Sequence, residues 1–97
     1  MPTYVSLVNW TDQGIKNYRD SVRRAEDYRG LVEKNGGQVR QLVWTLGEYD
    51  VVVVTDFPDD ETATAVALQT GALGSIRTKT MKAFDAEQMS AIIQRTG

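Results

Sequence analysis

Four consecutive valines, Val51 to Val54, constrain the fold more than any other stretch. β-branched side chains are stiff and suit a pleated surface. Successive strand residues point to opposite faces, so an unbroken apolar run demands burial on both. A second β-rich stretch, Gln38 to Leu46, precedes the run and is separated from it by Gly47-Glu48. A two-residue loop with glycine first predicts a type II′ hairpin, because glycine alone takes positive φ there without steric cost. The expected pairing is Leu46 with Tyr49, Thr45 with Asp50, Trp44 with Val51 and Val43 with Val52. That register sets Leu42, Trp44 and Leu46 beside Tyr49, Val51 and Val53.

The rest of the chain supplies elements to cover this hairpin. Thr3 to Trp10 reads as a strand, with Tyr4, Ser6, Val8 and Trp10 on one face and Thr3, Val5, Leu7 and Asn9 on the other. Both faces are mostly apolar, which suits a central strand. Thr11 or Asp12 can cap the following helix. Ile15, Tyr18, Val22, Ala25, Tyr28 and Leu31 recur at helical spacing, with a restart near Asp20-Ser21 also open, until Asn35-Gly36-Gly37 ends the helix. A second, alanine-rich helix follows Phe57-Pro58-Asp59, with Asp59 as its cap. Ser75 to Ala83 is the most polar strand and reads as a sheet edge, where lysines discourage unwanted pairing. Asp85 and Gln88 fit a capping box, with Phe84 and Met89 at the staple positions. The short terminal helix they start has an apolar stripe, Met89, Ile92 and Ile93, that needs a docking site.

The order β-α-β-β-α-β plus a terminal helix is the ferredoxin-like α+β plan, a four-stranded antiparallel sheet with two helices on one face. At 97 residues the chain is one domain, residues 1–97. The helices cover one sheet face, yet the central strands are apolar on both. The simplest cover for the other is a second copy, sheet to sheet, by two-fold symmetry. A homodimer through the open face is therefore expected, with further assembly left open.

Composition narrows the chemistry. There is no cysteine and no histidine. That removes disulfides, thiol nucleophiles, the usual zinc sites, Cys or His haem ligation and the Ser-His-Asp triad. No cofactor and no metal are expected. The 11 basic and 13 acidic residues leave a net charge of −2, which argues against nucleic acid as a partner. The cations between Lys16 and Lys34 alternate with acids, as on a solvated helix face. No apolar run approaches a membrane span and Met1-Pro2-Thr3 begins no signal peptide, so a cytoplasmic protein without a membrane partner is expected.

The motif Gly47-Glu48-Tyr49-Asp50 resembles that of the GYD family of small bacterial and archaeal proteins. Leu7 to Lys16, Phe57 to Glu61 and Gly74 to Thr80 are similar to that family as well. The resemblance implies membership of the dimeric α/β-barrel superfamily, in which two ferredoxin-like sheets pack together. It implies no activity. Relatives by fold include cofactor-free monooxygenases, muconolactone-isomerase-like enzymes, haem-dependent enzymes and stress-response proteins, and fold alone does not choose among them.

Six residues are candidates for a site. Trp10 and Trp44 can stack on a planar ligand or simply fill a core or interface. Asn9 can polarise a ligand carbonyl or bond local backbone. Tyr49 can point a hydroxyl into a cavity or pack as an aromatic with one polar tip. Asp50 can serve as a base or as a hairpin carboxylate capping amides. Arg77 can hold a carboxylate or enolate oxygen, or pair at the sheet edge with Asp50 or Asp56. Three functions follow: a small organic ligand bound between sheet and helices; a cofactor-free oxygenase or isomerase acting on an activated aromatic or lactone; or a structural protein without a ligand. Catalysis would need Asp50 or Tyr49 as base and Arg77 as oxyanion holder.

Overall fold

The apolar alternation becomes four strands, Thr3–Trp10 (β1), Gln38–Trp44 (β2), Val51–Asp56 (β3) and Ile76–Ala83 (β4), in a computed structural model that describes Met1–Gly97. They form one antiparallel sheet in the order β2-β3-β1-β4, with the two apolar strands central and polar β4 at an edge. Trp44 lies opposite Val51 and Val43 opposite Val52, as expected. A register shift between Val39 and Gln41 leaves Arg40 bulged from β2, and its guanidinium reaches Asp56 at 3.8 Å.

The first helical region is divided. Asp12–Lys16 (α1) starts on a Thr11 cap, a 3-10 turn follows at Tyr18–Asp20, and the long helix Ser21–Lys34 (α2) restarts there. Gly14 has to be glycine: a Cβ there would stand 2.0 Å from the Ser75 carbonyl oxygen. That close approach lets the Thr11 amide bond Ser75 O at 3.0 Å and ties the end of β1 to the start of β4. The second long helix, Asp60–Ala72 (α3), begins on Asp59, whose carboxylate accepts from the Thr62 amide at 2.8 Å. The terminal helix, Ala86–Gln94 (α4), carries the full Asp85–Gln88 capping box.

Helices α2 and α3 lie on the face of Tyr4, Ser6, Val8, Val53 and Thr55, all of which are buried. The core there is small: Tyr4, Val32, Phe57, Ala63 and Val66, with Tyr28, Leu31 and Val39 against it. Tyr4 meets Phe57 edge to face, the preferred geometry for aromatic pairs, with centroids 5.9 Å apart. The opposite face presents Val5, Leu7, Val52, Val54, Val43 and Met81 with no element over them. Helix α4 forms no packed interface with the rest of the chain, and Phe84, Met89 and Ile93 stay exposed. The radius of gyration, 14.6 Å, exceeds the about 12.5 Å expected of a compact chain of this length.

The hairpin tip departs from the two-residue turn. The strands stop at Trp44 and Val51, and Thr45 to Asp50 form a wider loop closed by a bond from the Thr45 amide to the Asp50 carbonyl at 2.9 Å. Gly47 does take positive φ, +135°. Leu46 stands fully in solvent and does not pair with Tyr49.

Candidate functional site

Burial along α2 falls from one end to the other. Val32, near its C-terminus, is fully buried, while Val22, in its first turn, is 62% exposed. Near the N-terminal end of α2 the helices leave a cleft of about 230 Å³ over the sheet. Its floor is Val8 and Trp10 of β1, Trp44 of β2, Val51 and Val53 of β3, and Ile76 of β4. Tyr28 and Leu31 of α2 and Ala63, Val66 and Ala67 of α3 form its walls. Alanines at 63 and 67 bring little bulk to the sheet side of α3, which leaves the space unfilled. The floor residues come together because alternate residues of each strand share a face, and the register aligns Trp44 with Val51, Val51 with Val8, and Trp10 with Ile76.

The floor also carries hydroxyls. Ser6 Oγ and Thr80 Oγ1 are 2.8 Å apart, and Thr78 lies beside Val8 on the same face. The two charged residues of the lining are on α2. Arg24 donates to the carbonyls of Asn17 and Gly14, at 3.1 and 3.4 Å, and Asp27 is solvent-exposed. Beneath α3 a second groove shares Ala63, Ala67, Thr78 and Thr80 with the cleft and runs to Tyr4, Asp60 and Lys82. There the Tyr4 hydroxyl donates to Asp60, and Lys82 Nζ stands 3.2 Å from the same carboxylate. Burial, then the neighbouring Asp60 carboxylate, pushes the Tyr4 phenol up to about 12. The bonds from Tyr4 and Lys82 hold Asp60 below the usual carboxylate value.

The six sequence candidates divide between the two faces of the sheet. Trp10 and Trp44 line the cleft. Asn9 pairs with Arg77 in the ladder between β1 and β4, on the uncovered face. Tyr49 turns toward that face as well, with Lys79 Nζ 5.7 Å from its ring centroid in a cation–π contact. Asp50 is tied to the backbone: its amide donates to Val8 O at 2.9 Å and its carboxylate accepts from the Trp10 amide at 2.9 Å. The Asp50 side chain thus extends the hold of β3 on β1 past the last residue of the strand. Arg77 forms an ion pair with neither Asp50 nor Asp56; Asp56 is held instead by Thr3 at 2.6 Å and by Arg40. The proposed base and oxyanion holder are therefore not gathered in the cleft. The cleft residues that the sequence reading missed, Ser6, Thr78 and Thr80, had one visible signal: Ser6 interrupts the apolar face Tyr4-Val8-Trp10.

No group of acidic side chains is placed to hold a metal ion, and no helix is long and apolar enough to cross a membrane. A crystal structure of a Thermus thermophilus protein matches this fold with a TM-score of 0.57 at 24% identity, covering 89% of this chain and 96% of that one. A Thermus thermophilus protein named glutamine synthetase and cystathionine beta-lyase binding protein is 28% identical over 92 residues, 94% of this chain and 97% of that protein. The model of the GYD domain matches residues 4–93, nearly the whole chain, and with the motif Gly47 to Asp50 in place the protein belongs to the GYD family.

Proposed function

We propose that the protein is a cytoplasmic homodimer that binds a small organic molecule in the cleft between its sheet and helices. The observation that carries the reading is the cleft itself, about 230 Å³, floored by two tryptophans and left open beside a small buried core. Concave, mostly apolar pockets with a few polar groups are the usual form of small-molecule sites. Binding is favoured over turnover because Asp50, Tyr49 and Arg77 lie outside the cleft lining. Prodan, an uncharged solvatochromic dye built on a two-ring naphthalene, tests it. One saturable site per chain, weakened about tenfold or more by Ala67→Phe, which fills the cleft, is the expected result. Equal binding by Ala67→Phe would refute it.

The homodimer is supported by the uncovered face, where Val5, Leu7, Val52 and Val54 form an apolar strip, and by α4, whose stripe has no partner within the chain. Sedimentation equilibrium is expected to give a dimer at micromolar concentration, and Leu7→Glu is expected to give a monomer. A second reading, docking on another protein, takes support from the name of the Thermus relative and from Leu46, fully exposed at the hairpin tip. Co-sedimentation with purified glutamine synthetase or cystathionine beta-lyase, lost on Leu46→Ser, is the expected outcome of that reading.

A further inference from the structure

The polar groups of the cleft indicate what kind of molecule it takes; the inference rests on the cleft being a binding site. A charged ligand on this floor would lose its hydration with little to replace it, since Val8, Val51, Val53 and Ile76 offer no counter-charge. The charged groups nearby are paired, in solvent or at the far end of the cleft. Lys82 is paired with Asp60 and Asp27 is exposed. Arg24 keeps its charge, but its bonds to the Asn17 and Gly14 carbonyls set the guanidinium toward the Trp10 end of the cleft, away from the position of Ser6 and Thr80 along β1 and β4.

The neutral polar groups are differently placed. Ser6 is 7% exposed and lines the cleft, with Thr78 and Thr80 beside it at the more exposed edge strand. Ser6 and Thr80 are joined by a single hydrogen bond. Two hydroxyls sharing one bond leave one O–H free to donate and further lone pairs free to accept. Thr78, next on the same face of β4, has no side-chain bond of its own. The cleft therefore combines an aromatic and aliphatic floor with one row of unsaturated hydroxyl capacity. At about 230 Å³ it is smaller than the roughly 300–1,000 Å³ of drug-sized pockets, so it suits one or two fused rings.

We infer that the ligand is an uncharged, planar, largely apolar ring compound that lies over the floor between Trp10 and Trp44 and directs one hydroxyl or carbonyl at Ser6 and Thr80. The test is calorimetric titration of the full-length protein at pH 7 with 2-naphthol, which is neutral there, and 2-naphthoate, the anion of matching ring size. The expected result is 2-naphthol tighter by about tenfold or more, from the cost of burying an unpaired charge. Thr80→Val, a substitution that suits an edge strand, is expected to weaken 2-naphthol by about fivefold, the worth of one hydrogen bond. Equal or tighter binding of 2-naphthoate overturns the neutral-ligand assignment and leaves the cleft as a site. Preference for 2-naphthol unchanged in Thr80→Val overturns the role of the hydroxyl row. Binding of neither naphthalene compound overturns this inference, and if the protein also ignores Prodan the cleft reading falls with it.

Discussion

The two ends of the helix-covered face are built from the same materials and end differently. At one end α2 and α3 close on Tyr4 and Val32, with Phe57, Ala63 and Val66 buried at the boundary, where they also line the cleft. At the other the same sheet carries Val8, Val51 and Ile76 with two tryptophans, and the helices stand apart. Hydrophobicity does not separate the two ends. The entry of α2 does: its C-terminal end is tied down through Gly37, where a Cβ would stand 2.6 Å from Asp56 O, whereas its N-terminus follows a 3-10 turn and has no side-chain cap. An apolar pattern makes a core only where the backbone lets elements converge; where it does not, the same pattern lines a cleft.

Mutations at the two ends break or sharpen that contrast. Phe57→Ala, in the buried core at the boundary with the cleft, is expected to cost about 3–5 kcal/mol in urea unfolding, while Trp44→Ala, at the open end and already 42% exposed, is expected to cost far less and to abolish Prodan binding. Equal losses of stability would mean that the ends are not different in kind. Asp50→Ala removes a charged acceptor from the Trp10 amide and is expected to cost about 1.5–3 kcal/mol, with Asp50→Asn milder because an acceptor remains.

Tyr4→Phe, at the closed end, is expected to cost about 1 kcal/mol at neutral pH through the lost bond to Asp60. It is also expected to change the alkaline limb. The Tyr4 phenol holds its proton more tightly folded than unfolded, so its contribution is whole below about 10 and is lost as pH rises through about 12. Tyr28, pushed up to about 12 by burial, adds a loss of the same sign. Melting temperature measured from pH 9 to 12 should therefore fall less steeply in Tyr4→Phe, with the remaining slope due to Tyr28. The smallest effect is expected from Asp85→Ala, which removes the capping box of a helix outside both ends. Helical circular dichroism should drop slightly, with the unfolding free energy lowered by about 1 kcal/mol or less.

The strand order, the polar edge, the helix caps at Asp59 and Asp85 and the register at Trp44 and Val51 were legible in the sequence, because each rests on local chemistry or on period-two alternation; the first cap was narrowed to Thr11 or Asp12, and Thr11 holds it. The hairpin tip was not. Gly47-Glu48 reads as a tight turn, but β1 claims both the amide and the carboxylate of Asp50, and that long-range demand widens the loop and turns Tyr49 to the other face. Val32, fully buried, also escaped. Within α2 the stripe Val22, Ala25, Tyr28 and Leu31 steps by three, and a period of 3.6 carries the buried face on to Val32 by the end of the helix. Of the candidate site, the tryptophans were readable. The separation of Asn9 from Trp10 was too, since neighbours on a strand face opposite ways.

The placement of β1 has a consequence for how the chain is made. Of the four strands, the first to leave the ribosome is one that needs two neighbours, and one of them, β4, is the last of the four to be synthesised. Until residue 83 emerges, Thr3 to Trp10 has one edge with no neighbour, on a strand apolar on both faces, the kind of edge that recruits other chains. A premature stop before Ile76 is therefore expected to yield an aggregating fragment rather than a smaller version of the protein, and emergence of Ala83 from the ribosome, later than its translation, is the point at which β1 gains its second neighbour.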